Sequence, residues 1–193
     1  NGCFVCVDPA TCKAPPPPAV DHTEAMGLFD SKCAGCHRGE KRKGPLLDTG
    51  YYSRDWIRGF LQDPSGDAFF GKTKIKKMKP VKETGADLDA LVEFVYAEGG
   101  STDADPALAA TGKTLFEGGK CANCHAADGT TQGEVGPNLG GHGSEAMIAA
   151  FLADPDSKLW FGGKNDMPSF KAKLTEEQRA KMAAYLVSLR YAR

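Results

Sequence analysis

The stretch LFDSKCAGCH at residues 28–37 recurs as LFEGGKCANCH at 115–125, and this repetition decides how the rest of the chain is read. Downstream landmarks recur in the same order. Gly44-Pro45 returns as Gly136-Pro137, Phe60-Leu61 as Phe151-Leu152, and Asp63-Pro64 as Asp154-Pro155. FFGK at 69–72 returns as WFGGK at 160–164. The offset is 88 for Cys33 and Cys121, 91 for the Asp-Pro pairs and 89 for Met78 and Met167, too constant for chance. Two duplicated domains are expected, at 20–98 and 106–193. The joint between them, 99–105, is rich in Gly, Ser and Asp and reads as a short exposed linker. A Cys- and Pro-rich segment, 1–19, precedes them, its proline run acting as a polyproline II spacer.

The 193 residues are 41% hydrophobic and 9% aromatic, as in a folded globular chain. A formal net charge of −1 argues against wholesale binding to nucleic acid or anionic membrane, either of which takes an excess of Lys and Arg. No run reaches the roughly 18 to 20 apolar residues of a membrane-crossing helix. Asn1 in place of Met suggests a processed or truncated start, with a signal peptide or membrane anchor ahead of it.

The periodicity is helical. Leu108, Gly112, Leu115 and Phe116 precede the second motif, with Ala25 and Phe29 in the matching places of the first. Leu88, Leu91, Val92 and Val95, then Met182, Tyr185, Leu186 and Leu189, each mark one apolar helix face. Thr175 and Gln178 fit a capping box. No segment alternates as a strand does, so the fold expected is all-α, a few helices and long loops per unit. Some 80 residues of that kind bury little core by themselves.

C-x-x-C-H is the attachment signal for c-type haem: two thiols on one turn reach the two vinyl groups, and the following His reaches the iron. Cys33, Cys36 and His37 are assigned to one haem; Cys121, Cys124 and His125 to a second. A zinc site is the competing reading of a single copy, and duplication in register disfavours it. Met78 lies 41 residues after His37, and Met167 lies 42 after His125, so both are candidates for the sixth iron position. Met26, Met147 and Met182 fall within helical patterns and read as core filling. His22 and His142 are rival ligands, and neither recurs in the other repeat.

On these motifs, residues 20–193 resemble a dihaem cytochrome c made of two class I cytochrome c domains, each wrapped around one covalent haem. The resemblance implies a first helix ending at C-x-x-C-H, a last helix crossing it, and a proline carbonyl accepting from the axial His. Pro137 fits that role twelve residues after His125; Pro45, eight after His37, implies a shorter loop. It also implies single-electron transfer between respiratory partners and a periplasmic or outward-facing location. A free carrier similar to cytochrome c4 and the c-type domains of a bacterial cytochrome bc-type quinol-oxidising complex both stand as contexts. A dihaem peroxidase or sulfur-compound dehydrogenase is the enzymatic alternative.

Lys72, Lys74, Lys76, Lys77 and Lys79 surround Met78 and are expected to steer an acidic redox partner. Cys3, Cys6 and Cys12 remain after the haem cysteines. Val7 stands where a third axial His would be, leaving a disulfide with one free thiol, or a zinc site completed by His22.

Overall fold

The computed structural model describes residues 20–75, 78–131, 135–160 and 165–192. Cys3, Cys6, Cys12, Lys76 and Lys77 lie outside them. The helices are α1 (Thr23–Lys32), α2 (Ala34–His37), α3 (Arg54–Gln62), α4 (Gly85–Glu98), α5 (Pro106–Gly118), α6 (Glu145–Ala153) and α7 (Glu176–Ser188). Short 3-10 turns occupy Cys121–Asn123 and Leu189–Tyr191, and the described residues contain no strand. The all-α class expected from the sequence is the observed one.

Local chemistry sets the helix ends. Ser53 Oγ accepts from Trp56 N and Ser144 Oγ from Met147 N, opening α3 and α6 at matching places of the repeat. Asp105 accepts from Ala107 N and Leu108 N, with Pro106 in the first turn of α5. The capping box of Thr175 and Gln178 opens α7 as its sequence signals. Asp63 and Asp154 end α3 and α6, and the prolines that follow are fully buried. The sequence reading placed no helix at α3 or α6. In α3 Trp56, Ile57, Phe60 and Leu61 share one face, so periodicity and the Ser53 cap were both available signals; α6 is apolar nearly all round, and there the Ser144 cap was the available signal. Met182 is wholly buried and Met147 packs on the core, as expected, but Met26 is 49% exposed, on the outer side of α1.

The helices pair across the repeats. α1 packs on α7, α4 on α5, α3 on α4, and α6 on α7. Ala25, Phe29 and Cys33 of the first repeat therefore share a core with Ile148, Leu152, Phe170, Leu174, Met182 and Tyr185 of the second. Phe116 and Cys121 of the second repeat pack with Leu61, Leu91, Phe94 and Val95 of the first. The aromatic pairs repeat this crossing: Phe29 meets Tyr185 at 5.9 Å and Phe116 meets Phe94 at 5.1 Å between ring centroids. The crossing of first and last helices implied by the resemblance is thus present, but each first helix meets the last helix of the other repeat.

The connectors show why. Only residues 48–52 separate Leu47 from the cap of α3, and only 140–143 separate Leu139 from the cap of α6. Both are tightly turned, with Tyr51 N donating to Asp48 O, Ser53 N to Gly50 O, His142 N to Leu139 O and Ser144 N to Gly141 O. Gly50 (φ 83°) and Tyr52 (φ 60°) match Gly141 (φ 70°) and Gly143 (φ 88°), so both connectors use left-handed backbone at the same two places. Short connectors of this kind favour exchange of elements over closure within one unit.

The connectors meet each other. Tyr52 is 3% exposed, and a Cβ on Gly143 would lie 2.5 Å from its ring. Arg190, 5% exposed, donates to Gly143 O, Gly99 O and Ser101 Oγ and lies over the Tyr52 and Tyr96 rings. Gly50 N in turn donates to Leu189 O. The 99–105 joint is exposed at Gly100, Thr102, Asp103 and Asp105, and it is also tied to the helices beside it. Ser101 is 8% exposed, Asp103 bonds Arg54 and Tyr96, and Asp105 N donates to Glu93. Arg54 forks onto the buried Glu93 carboxylate at 2.6 and 2.7 Å, clamping α3 to α4.

Candidate haem sites

In the first repeat α1 ends at Cys33, and α2 carries the chain through Cys36 to His37. Cys33 N donates to Phe29 O, Cys36 N and His37 N to Cys33 O, and the motif is thereby one continuous turn. The second repeat does the same with a 3-10 turn: Cys124 N and His125 N donate to Cys121 O. The helical step places Cys33 inward, 7% exposed, and Cys36 outward; Cys121 is half-buried and Cys124 exposed. All four thiols are free of disulfides, and burial pushes those of Cys33 and Cys121 up.

Each histidine ring is held by the loop that follows it. His37 Nδ1 lies 2.9 Å from Pro45 O and His125 Nδ1 lies 2.8 Å from Pro137 O. A carbonyl only accepts, so Nδ1 carries the proton and Nε2 presents a lone pair. Burial pushes the His37 imidazole down, which also favours the neutral ring. The shorter loop after His37 closes the bond as well as the longer one after His125. Gly44 and Gly136 allow it: a Cβ on Gly44 would lie 2.7 Å from His37 Cε1, and one on Gly136 2.5 Å from His125 Cε1. Any side chain there would push the ring off its carbonyl.

The loops are built differently around this common core. In the second repeat Asn138, 2% exposed, donates to Asp128 and Thr131 O and accepts from Gly129 N and Gly140 N. Thr130 N and Thr131 N hold the Asp128 carboxyl well below its usual range, with the Thr131 hydroxyl the first cause. The sequence reading missed this clasp. Leu46 takes the place of Asn138 in the first repeat, where the loop is four residues shorter.

Met78 and Met167 are both half-buried, and Met167 packs against the core that contains Cys33. The segments that carry them touch: Lys74 reaches the Asp166 carboxylate at 3.2 Å. The rival histidines are otherwise engaged. His142 Nδ1 lies 3.3 Å from Tyr52 Oη, and burial with His125 nearby pushes its imidazole down to about 4. His22 stands against Tyr185 at the start of α1.

Two features test whether these residues suit a haem. Trp56 Nε1 and Arg42 Nε are buried donors without a protein partner, as expected beside a group that carries carboxylates. The walls near them are aromatic, with Trp56 stacked on Phe60 at 14° and edge-on to Phe69. Free paired thiols, an oriented Nε2 and these orphan donors together fit a covalently tethered haem.

Of the lysines around Met78, Lys72 is engaged at the surface, donating to Glu40 O and pairing with Asp67. Lys74 is bound to Asp166, and Lys79 is exposed. Among the described residues no helix is long and apolar enough to cross a membrane.

No curated protein and no solved structure matches the chain. Residues 107–186 match the family described as cytochrome C oxidase, cbb3-type, subunit III, a family of c-type cytochrome domains; the match runs through Cys121, Cys124, His125, Pro137 and Met167. This segment of the chain is accordingly similar to a c-type cytochrome domain, the kind that carries covalently bound haem c.

Proposed function

We propose that the chain is a dihaem c-type cytochrome that passes single electrons between respiratory redox partners on the outer side of the cytoplasmic membrane. The observation that carries the reading is the duplicated cradle. Cys33, Cys36 and His37 with Gly44 and Pro45 repeat the arrangement of Cys121, Cys124 and His125 with Gly136 and Pro137. The second arrangement lies inside the matched family.

Bound at these places, each haem supplies a one-electron couple. The chain supplies the rest. The thiols prevent dissociation, and the Pro45 and Pro137 carbonyls fix the ring planes and raise the basicity of Nε2. Met78 and Met167 close the sixth positions with thioether sulfur, which leaves no vacant place for substrate and raises the potential relative to two nitrogen ligands. The aromatic shell of Trp56, Phe60 and Phe69 keeps water out. Contact of Lys74 with Asp166 brings the two methionine segments together, suiting electron exchange within the chain.

Two covalent haems per chain, both low-spin with a sulfur-to-iron band when oxidised, are expected by mass spectrometry and optical spectra. One haem per chain overturns the dihaem reading, and a high-spin haem that binds cyanide quickly favours the peroxidase or dehydrogenase alternative. The matched family and the extracytoplasmic setting make a membrane cytochrome complex a fitting partner. Lys74, Lys76, Lys77 and Lys79 are proposed to steer it. Changing Lys74, Lys76 and Lys77 to Glu is then expected to slow electron exchange with an acidic partner and flatten its salt dependence. An unchanged rate at low salt removes the steering role.

A further inference from the structure

We propose that the sixth ligands are exchanged between the repeats: Met167 serves the haem held by Cys33, Cys36 and His37, and Met78 the haem held by Cys121, Cys124 and His125. This rests on the His/Met reading above. It differs from what spacing implies, since the equal separations pair each methionine with the motif of its own repeat.

Three observations lead there. Met167 packs against the core that joins Ala25 and Phe29 of α1 and the following Cys33 to α6 and α7, and Leu47 of the first histidine loop packs against the same core. The second motif has the mirror environment: Cys121, Ala127 and Leu139 pack with Leu61 of α3 and Leu91 and Phe94 of α4. Met78 lies on the chain between α3 and α4. Three residues after it, Val81 N donates to Leu61 O; three residues after Met167, Phe170 N donates to Leu152 O. Each methionine is thereby pinned to the helix pair that covers the other repeat's motif.

Bonds within a repeat also tie each histidine loop to the segment after the next helix: Leu46 N to Ala68 O, Arg42 to Asp67 O and Lys72 to Glu40 O in the first, and Asn138 N to Leu159 O in the second. They end six and eight residues before the methionines, ahead of the bonds that pin Val81 and Phe170. The connectors make exchange the accessible arrangement. Five residues, 48–52, reach at most about 18 Å fully extended and are in fact folded into turns, so α3 starts close to the first histidine loop with little freedom of direction. The same holds for 140–143 and α6.

The consequence is that neither repeat completes a haem site alone: the sites complete each other. Chains keeping one attachment motif test this. With Cys121→Ala and Cys124→Ala only the haem at His37 is tethered, and there Met167→Ala should abolish the sulfur-to-iron band whereas Met78→Ala should leave it. With Cys33→Ala and Cys36→Ala the two effects should interchange. The reverse pattern overturns the exchange while leaving His/Met ligation standing. Absence of the band from the unaltered dihaem protein overturns the ligation itself. Because single-haem chains can fold poorly, the unaltered reduced protein provides a second readout by NMR. Cross-peaks from the Met167 ε-methyl to the haem whose thioether protons connect to Cys33 support the exchange, and cross-peaks to the haem connected to Cys121 overturn it.

Discussion

Replacing Gly112 by Ala probes a very close helix contact. Gly112 lies on the inner face of α5, where it crosses α4; a Cβ there would be driven into the Ala90 carbonyl oxygen and would lie 2.8 Å from Phe94 Cβ. The atoms it meets are backbone and the root of a side chain, so no rotamer change relieves them. Overpacking costs roughly 1 to 3 kcal/mol, and against an unyielding backbone carbonyl the upper part of that range applies, about 2 to 3 kcal/mol. The substitution also gains about 1 kcal/mol of helix propensity, leaving a net loss of about 1 to 2 kcal/mol. Gly27 is the internal control. It lies in α1, exposed, with nothing within 4 Å of its Cβ position, so Gly27→Ala should gain about 0.5 to 1 kcal/mol. Urea unfolding of the oxidised holoprotein, followed by circular dichroism, should separate the two variants by about 2 kcal/mol, with Gly112→Ala below wild type. If Gly112→Ala equals or exceeds wild type, α5 does not cross α4 at this contact and the reasoning fails.

A double-mutant cycle on Phe94 and Phe116 should show coupling of about 0.5 to 1.5 kcal/mol, and one on Phe116 and Tyr185 should show none, because the ring contact lies between α4 and α5. Arg190→Ala leaves the Gly99 and Gly143 carbonyls without their donor and should lower stability by about 3 kcal/mol in the same unfolding assay; loss under about 0.5 kcal/mol would show that water replaces the guanidinium. The Glu93 carboxyl is held below its ordinary 4.5 chiefly by Arg54, so its contribution is full above that value and fades as pH falls through the folded value. Unfolding curves should therefore show wild type losing stability below about pH 4.5 more steeply than Glu93→Gln; parallel curves would rule out the Arg54 clamp as a source of acid sensitivity.

Much of this was readable in the residues. The C-x-x-C-H motifs are chemical statements complete in five positions, and the resemblance to class I cytochrome c domains implies that the prolines of the Gly-Pro pairs after them are the partners of the imidazoles. Helices α4, α5 and α7 follow from one-sided apolar periodicity, and the cap of α7 from Thr175 and Gln178. The engagement of Lys72 with Glu40 and Asp67 was not readable, because it depends on a loop returning 32 residues later. Nor was the Asn138 clasp, since an Asn in a glycine-rich loop has no periodicity to mark it.

Sequence by itself determined the repeat, the all-α class and the residues at each motif. It could not determine which helix meets which, because the two repeats offer near-identical faces: Phe29 and Phe116, Ala25 and Gly112, Tyr185 and Phe94 are interchangeable to any pattern. The tertiary structure decided it at connectors 48–52 and 140–143, which are short and sharply turned and lead the chain onto the helices of the other repeat. The pairing of α1 with α7 and α4 with α5 is thus a property of chain length between elements, a quantity that apolar patterns do not encode.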